Sequence, residues 1–448
     1  MSMRQRLSDL ATPAFVINRH AFRRNCELAQ TSAHANGIYR LRPHVKTHKT
    51  REGCLIQAGI GSDVRDGAPA SEGELRTSNA VRKFAVRLSV APQILRSHHL
   101  LSFIPQWSDS SYLTEMASQH KCGPFGDILL GIPICKSKLS AIGRLKSDLA
   151  SATNNEGVIH LLIDNAQQVE FLEDFIVNSP SANVKWSVFL KIDSGYHRAG
   201  VTCDSRGVSV ATKIIDSSCL ILKGLYSHCG HSYSVNDKLE MEKVTEDDHN
   251  VILEFLKILS DQLEYHGSSF DTFLLEVSVG STGSMSCHKK LSTPNNVDLH
   301  PGNYVFYDRQ QLFTGACTNE SYIAGFVLAR VIGHYDDDVR NAIMIDAGAT
   351  ALTKEGTPQG GMCAVFGRPD LECYRMSQEI TMIRLRDGCD APFPFEDFPL
   401  GSTLLLLPNH SCLAAACFDT YYVVDEMGGQ LSSTCSVVDT WIPVKGWA

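Results

Sequence analysis

WSVFLKIDSGYHRAG, residues 186–200, decides the fold. Its first half, Trp186–Asp193, is an apolar run of the length and composition of one β-strand. Its second half turns abruptly polar, with Asp193, Ser194, Tyr196, His197 and Arg198 at or just past the strand's C-terminal end.

The same figure recurs along the chain, in Tyr39–Lys46, Lys83–Val90, Asp127–Pro133, Val158–Asp164, Leu220–His228, Thr272–Val279 and Val297–Tyr307. Helix-like stretches such as Asn165–Val177 and Asp247–His266 lie between them, and strand, helix, strand in succession favours a parallel sheet. Eight such units over roughly 300 residues predict an α/β fold, a closed (β/α)8 TIM-like barrel, whose active groups sit on the loops after the strands. An open doubly wound sheet has the same periodicity. The polar strand ends separate the two: Lys46, the segment Asp193–Arg198, His228 and Gly280–Gly283 all follow a strand, and one face of a barrel gathers them.

From about Asp308 the pattern changes to short alternating runs, Tyr322–Val331, Ala342–Asp346, Ile380–Leu385 and Tyr421–Val424, set apart by Gly, Pro and Asp. This reads as a mainly β C-terminal domain. The expected division is a barrel over residues 15–308 and a β-rich domain over 309–448 together with 1–14. The early strand Ala14–Asn18 is a candidate to cross over and join the second of these.

The chain has 448 residues, 43% of them hydrophobic and 20% charged, so it is an ordinary globular sequence with room for two domains. A formal net charge of −8 gives no general attraction to nucleic acid or anionic lipid. No run is long enough to span a bilayer, and the N-terminus lacks the pattern of a secretory signal. Fifteen cysteines at irregular spacings, with no CxxC pair, predict reduced thiols in the cytoplasm.

Against that acidic background, Arg42–Thr50, RPHVKTHKT, is a local excess of positive charge. Extended geometry would put His44, Lys46 and His48 on one side of the chain. A lysine among cations, partly desolvated, has more of its amine free for nucleophilic attack; a solvated basic loop is the plain alternative. The strand end Val279-Gly280-Ser281-Thr282-Gly283 offers backbone N–H groups and hydroxyls to an anion. With Lys46 it suggests a phosphorylated aldehyde, pyridoxal phosphate. Arg198 suits a phenolic oxygen or a carboxylate, or pairs with Asp193. Tyr226, His228, His231 and Tyr233 cluster at another strand end. His410 and Cys412, in Pro408–Cys412, share a face if extended and form a borderline-soft pair suited to zinc in an open site. A packed cysteine beside a capping histidine is the alternative.

Taken together, these residues resemble the D-serine dehydratase and D-threonine aldolase group of pyridoxal-phosphate enzymes, relatives of alanine racemase. The match runs through Arg42–Thr50, Gly126–Pro133, Lys191–Val201, Gly224–Tyr233, Val277–Thr282, Pro301–Asp308, Asp346–Ala349, His410–Cys412 and Gly446-Trp447. The resemblance implies an alanine racemase-like barrel plus β domain, usually a homodimer, with Lys46 as the Schiff-base lysine and Gly280, Ser281 and Thr282 near the phosphate. It places Arg198, Tyr226, His228 and Tyr233 around the cofactor or substrate, and Zn2+ on His410 and Cys412. The His-x-Cys motif is similar to that of eukaryotic, zinc-dependent D-serine dehydratases, whereas the aldolases tend to carry His-x-Asp. The implied reaction converts D-serine to pyruvate and ammonia. The alternatives are a retro-aldol enzyme on D-3-hydroxy amino acids and a cofactor-binding, catalytically impaired paralogue.

Two stretches depart from the family pattern. Arg87–Leu113 replaces the expected start of a helix after the second strand, and Ser377–Thr381 lacks a histidine that would support the metal site.

Overall fold

The computed structural model describes residues 5–59, 126–179, 184–288, 291–337, 339–357, 360–389, 391–427 and 431–444. The expected strand Lys83–Val90 and the atypical stretch Arg87–Leu113 lie outside the described residues. Two compact units are present. One comprises Ala29–Ser232, Leu239–Gly302 and Val444–Ala448; the other comprises Met1–Leu28, Tyr233–Lys238 and Asn303–Pro443.

The first unit is built on a parallel sheet of seven strands. Their order is Arg40–Leu41, Val297–Leu299, Glu276–Val279, Leu220–Ser227, Trp186–Ile192, Val158–Ile163 and Asp127–Pro133. Each strand expected from the sequence within the described residues is therefore present, in barrel order. The sheet curls far enough for its two edge strands to meet through side chains: Arg42, just past one edge, donates to Asp127 of the other at 2.7 Å. Helices cross between strands as the periodicity predicts. Ala166–Val177 starts from a capping box of Asn165 and Gln168. Ser205–Ile215 is capped by the Asp204 carboxylate, which accepts from the Arg206 and Gly207 N–H groups.

Inside the curl the strands contribute a packed layer of Leu129, Leu162, Phe189 and Tyr226. Beside it lies a buried charge network. Asp298 accepts from Arg40 at 2.8 Å and from Arg42 at 3.0 Å, and Glu276 and Asp127 take the remaining guanidinium hydrogens. Burial opposes the charge on Arg40, but Asp298, Asp127 and Glu276 outweigh it and push the arginine pKa up. Burial likewise opposes ionisation of Asp127, yet Arg42, His160 and Arg40 hold its carboxyl well below the usual range.

The second unit holds a nine-stranded sheet. Its main path runs Leu371–Met376, Thr381–Leu385, Ala342–Ile345, Gly325–Tyr335, Ala14–Asn18, Tyr421–Val424 and Asp439–Trp441. Thr403–Pro408 pairs with Gly325–Tyr335 and carries Cys363–Val365 on its other side. The early strand Ala14–Asn18 is wholly buried here, parallel to Tyr421–Val424 and antiparallel to Gly325–Tyr335. Val16, Phe326, Leu328, Leu405, Leu407 and Val424 form the centre of its core. The sequence shows no convincing helix in this region, whereas the structure has three short ones, Arg309–Phe313, Ala349–Leu352 and Ser411–Ala416. Each is too short to print a helical period on the sequence. No helix among the described residues is long and apolar enough to cross a membrane.

Candidate active site

In the first unit the lysine stretch leaves the sheet earlier than expected. Pairing with the neighbouring strand continues through Arg42 N–H to the Leu299 carbonyl and His44 N–H to the Pro301 carbonyl, and a 3-10 turn over Val45–Thr47 follows. That turn breaks the alternation predicted for His44, Lys46 and His48. His48 turns towards the helix Arg51–Gln57, where its ring nitrogens meet the Thr50 hydroxyl at 3.1 Å and the Gln57 side chain at 3.0 Å. A side chain at Gly53 would strike that ring, its Cβ falling 2.3 Å from Nδ1. His48 is therefore structural.

His44 faces the other way. Its Nε2 lies 3.0 Å from the Tyr226 hydroxyl, and the Tyr226 ring stacks on His300 with centroids 4.3 Å apart. His44, His228 and His300 bring ring nitrogens within 4.8 Å of one another. Burial holds all three imidazoles well below their ordinary pKa, and Lys46 adds to this at His44 and His228, as Lys191 does at all three. Neutral imidazoles in such an arrangement could ligate a cation, but the lysines beside them oppose one. The environment favours a group carrying negative charge.

Lys191 ends its strand buried, its ammonium 4.8 Å from the centre of the Tyr226 ring. Burial, with Arg198 next in size, brings its pKa down to about 8. Arg198 itself is exposed and lies over the Tyr196 ring at 4.6 Å. Asp193 bonds instead to the backbone of Gly195 and His197 and to the His197 ring, so the Asp193–Arg198 pairing weighed from the sequence is replaced by a local turn.

The anion loop follows the strand Glu276–Val279. Gly280 has φ +101, a conformation glycine adopts without strain. Ser281 then caps the short helix Thr282–Met285 through the Ser284 N–H, and its hydroxyl lies 2.8 Å from that of Ser232. The Thr282 hydroxyl accepts from Gly302 N–H at 3.1 Å, joining this loop to the Pro301–Gly302 corner. A side chain at Gly302 would sit 3.0 Å from the His44 Cβ, so this corner is tightly packed.

These residues can hold pyridoxal phosphate. Three buried polar atoms beside Lys46, Nδ1 of His44, Oγ1 of Thr47 and Nδ1 of His228, have no hydrogen-bond partner among the described residues. Buried polar groups seldom remain unpaired in a native site. A polar, negatively charged ring bearing a phosphate answers both the unpaired atoms and the surrounding cations.

The second unit holds the His-x-Cys motif. His410 is extended and Ser411 opens the helix Ser411–Ala416, so His410 and Cys412 converge through a helix start and not through strand alternation. Nε2 of His410 lies 2.8 Å from Sγ of Cys412, while its Nδ1 lies 2.9 Å from a Glu355 carboxylate oxygen. Burial opposes protonation of His410, but Cys412 and Glu355 outweigh it and hold its pKa well above the ordinary value. The imidazole nitrogen and the sulfur thus converge closely enough to share one proton or one metal ion. The donor set of one imidazole and one thiolate suits zinc. Tyr233, expected near the cofactor, belongs to this unit, its ring stacked on His410 with centroids 6.0 Å apart.

The motif is anchored from below by Asp308. Its carboxylate accepts from Ser411 N–H at 3.0 Å and from Gln311 N–H at 2.9 Å, tying two helix starts together. Sequence reasoning missed three residues. Lys191 and His300 stand at strand ends, which is the signal used for Lys46, but were given no role. Glu355 lies in an irregular loop and carries no local signal.

Comparison with known proteins agrees with this fold. Residues 136–283 match the family described as "Alanine racemase, N-terminal domain", and residues 324–424 match "Putative serine dehydratase domain". D-serine dehydratase of Schizosaccharomyces pombe is 31% identical, covering 98% of this chain and 93% of its own. That of Saccharomyces cerevisiae is 29% identical, covering 98% and 97%. In three dimensions the chain superposes on D-threo-3-hydroxyaspartate dehydratase from Delftia sp. HT23 with a TM-score of 0.71 at 24% identity, covering 99% of this chain and all of that one. The parallel sheet with its β-rich companion, and identity sustained over almost the whole length of these relatives, lead to one conclusion: the chain belongs to the D-serine dehydratase family, within the alanine-racemase-like enzymes.

Proposed function

We propose that this protein is a pyridoxal-phosphate- and zinc-dependent lyase that eliminates the β-hydroxyl of D-serine to give pyruvate and ammonia. The observation that carries the reading is the His410–Cys412 pair, with imidazole nitrogen and sulfur 2.8 Å apart. It supplies a zinc-binding donor set, and it stands in a chain similar over nearly its whole length to enzymes named D-serine dehydratase.

In this reading Lys46 would hold the cofactor covalently, the Gly280–Thr282 loop would take its phosphate, and Tyr226 and His228 would contact it. Bound pyridoxal phosphate supplies a sink for the electron pair left when the α-proton departs, and zinc a Lewis acid for a hydroxide leaving group. Lys46 Nζ would serve as the base that takes the α-proton. His44 and His228, held neutral by burial, add no charge beside that amine, and Lys191 with Arg198 supplies positive potential for the substrate carboxylate or the cofactor phenolate. His410 and Cys412 would hold the metal. The fourteen free cysteines among the described residues fit a reducing compartment, and the reading places the enzyme in the cytoplasm as a homodimer.

Product analysis tests it. D-serine is expected to yield pyruvate and ammonia in equal amounts, and D-threonine the corresponding 2-oxo acid. Glycine plus an aldehyde would instead establish the retro-aldol reaction. Cofactor binding without turnover of any D-3-hydroxy amino acid would establish the impaired paralogue.

A further inference from the structure

The two ring nitrogens of His410 face different partners. Nε2 lies 2.8 Å from the Cys412 sulfur, and Nδ1 lies 2.9 Å from a Glu355 carboxylate oxygen. A metal held by the sulfur and the imidazole together must use Nε2. A carboxylate on Nδ1 is then on the opposite edge of the ring, where it cannot share that metal.

The loop carrying Glu355 is fixed from the same strand end that carries His410. Asn409 donates through its side-chain amide to the Glu355 carbonyl at 2.8 Å and to the Gly361 carbonyl at 3.0 Å. Its amide oxygen accepts from Arg309, which begins the helix capped by Asp308. Asn409, next to His410 in the chain, thus ties the backbone of Glu355 to the strand end that carries the imidazole.

We propose that Glu355 is the positioning residue of the metal site: it accepts the Nδ1 hydrogen of His410, fixing the tautomer that presents the Nε2 lone pair to zinc. The inference rests on the metal reading given above. It also answers the missing histidine in Ser377–Thr381, because the support for His410 comes from the 353–361 loop. Metal-bound imidazoles characteristically donate their second N–H to a carboxylate or carbonyl, and removing such a partner lowers metal affinity about 10–100-fold.

Zinc affinity of the full chain is measured by competition with a chromophoric chelator, for wild type, Glu355→Gln, Glu355→Asp and Cys412→Ala. Far-UV dichroism and cofactor absorbance report the fold of each. Glu355 is a partly exposed loop residue, its side chain 42% accessible, so the amide variant is expected to fold as wild type does. Glu355→Gln is expected to bind zinc about 10–100-fold more weakly, with Glu355→Asp between it and wild type. With cobalt(II) in place of zinc, the sulfur-to-metal absorption band is expected to persist in Glu355→Gln and to vanish in Cys412→Ala. Zinc affinity unchanged in both Glu355 variants overturns the inference while leaving the metal site standing. At saturating cobalt, an altered energy or intensity of the d–d bands in Glu355→Gln makes Glu355 a ligand and overturns it too. Wild type that binds neither metal overturns the metal reading and this inference together.

Discussion

The Tyr226 hydroxyl lies 3.0 Å from Nε2 of His44, which places the only polar atom of the tyrosine ring against an imidazole that burial keeps neutral. A neutral imidazole can accept that hydrogen and leave its Nδ1, which has no partner among the described residues, to a ligand.

Tyr226→Phe keeps the stack on His300 and deletes the hydrogen bond. The buried His44 nitrogen then loses its partner, at a cost of about 1–3 kcal/mol. The variant is expected to melt lower than wild type by thermal denaturation and to bind pyridoxal phosphate more weakly. An unchanged melting temperature would show that the pair contributes nothing to the barrel mouth.

Lys46→Ala removes the amine assigned to both cofactor attachment and proton transfer. Loss of a positioned acid–base group alone lowers rates about 10²–10⁴-fold. Turnover is expected to fall by at least that much, and borohydride treatment is expected to fix no cofactor to the chain. Peptide mapping of the reduced wild type is expected to find the label on Lys46.

Asp298 accepts from two buried arginines and is itself wholly buried. Asp298→Asn keeps the shape and leaves Arg40 and Arg42 with one negative charge fewer. Breaking a buried ion network in this way costs about 3–5 kcal/mol. The urea midpoint is expected to drop accordingly, whereas a surface pair such as Lys213–Glu170, similarly broken, is expected to shift it by less than about 1 kcal/mol.

His249 and His288 form a buried edge-to-face pair with ring centroids 4.6 Å apart. Burial brings His249 down to about 4, and burial with His249 beside it brings His288 down to about 3, from an ordinary 6.5. Because the folded pKa values are depressed, the unfolded chain binds more protons as the pH falls. The stability these groups contribute is fully present above pH 6.5 and is lost as the pH falls towards 4 and then 3. Between about pH 6.5 and 5, wild type is expected to lose urea resistance more steeply than the double variant His249→Gln, His288→Gln. Parallel pH profiles would contradict this.

Gly280→Ala forces a side chain into φ +101 and brings its Cβ within 3.1 Å of the Ser284 hydroxyl. Strain of this kind costs about 1–3 kcal/mol. Phosphate-dependent binding of the cofactor is expected to weaken while binding of pyridoxal, which lacks the phosphate, changes little. Titration of both compounds into the apoprotein checks it.

The sheet was legible because parallel strands announce themselves twice, as an apolar run and as the polar residue that ends it. Trp186–Ile192 followed by Asp193 is one instance, Leu220–Ser227 followed by His228 another. What happens after a strand was less legible. Lys46 lies on a 3-10 turn whose three residues leave no period in the sequence, so alternation wrongly aligned His44 with His48. His410 and Cys412 converge by a helix start that sequence spacing reproduces by accident as strand alternation. Glu355 was invisible because its role comes from a loop pinned by Asn409, far along the chain, and no local pattern records such a contact. The crossover of Ala14–Asn18 could be anticipated, since a strand preceding the barrel count needs a partner elsewhere.

The central claim joins one lysine-bound cofactor and one metal in a single elimination. Its most direct test adds D-serine to the purified holoenzyme with and without a zinc chelator, following pyruvate and the cofactor absorbance together. The account predicts that chelation abolishes pyruvate while D-serine still perturbs the cofactor spectrum, and that added zinc restores turnover. Pyruvate formation that proceeds at the same rate after complete removal of zinc would contradict it.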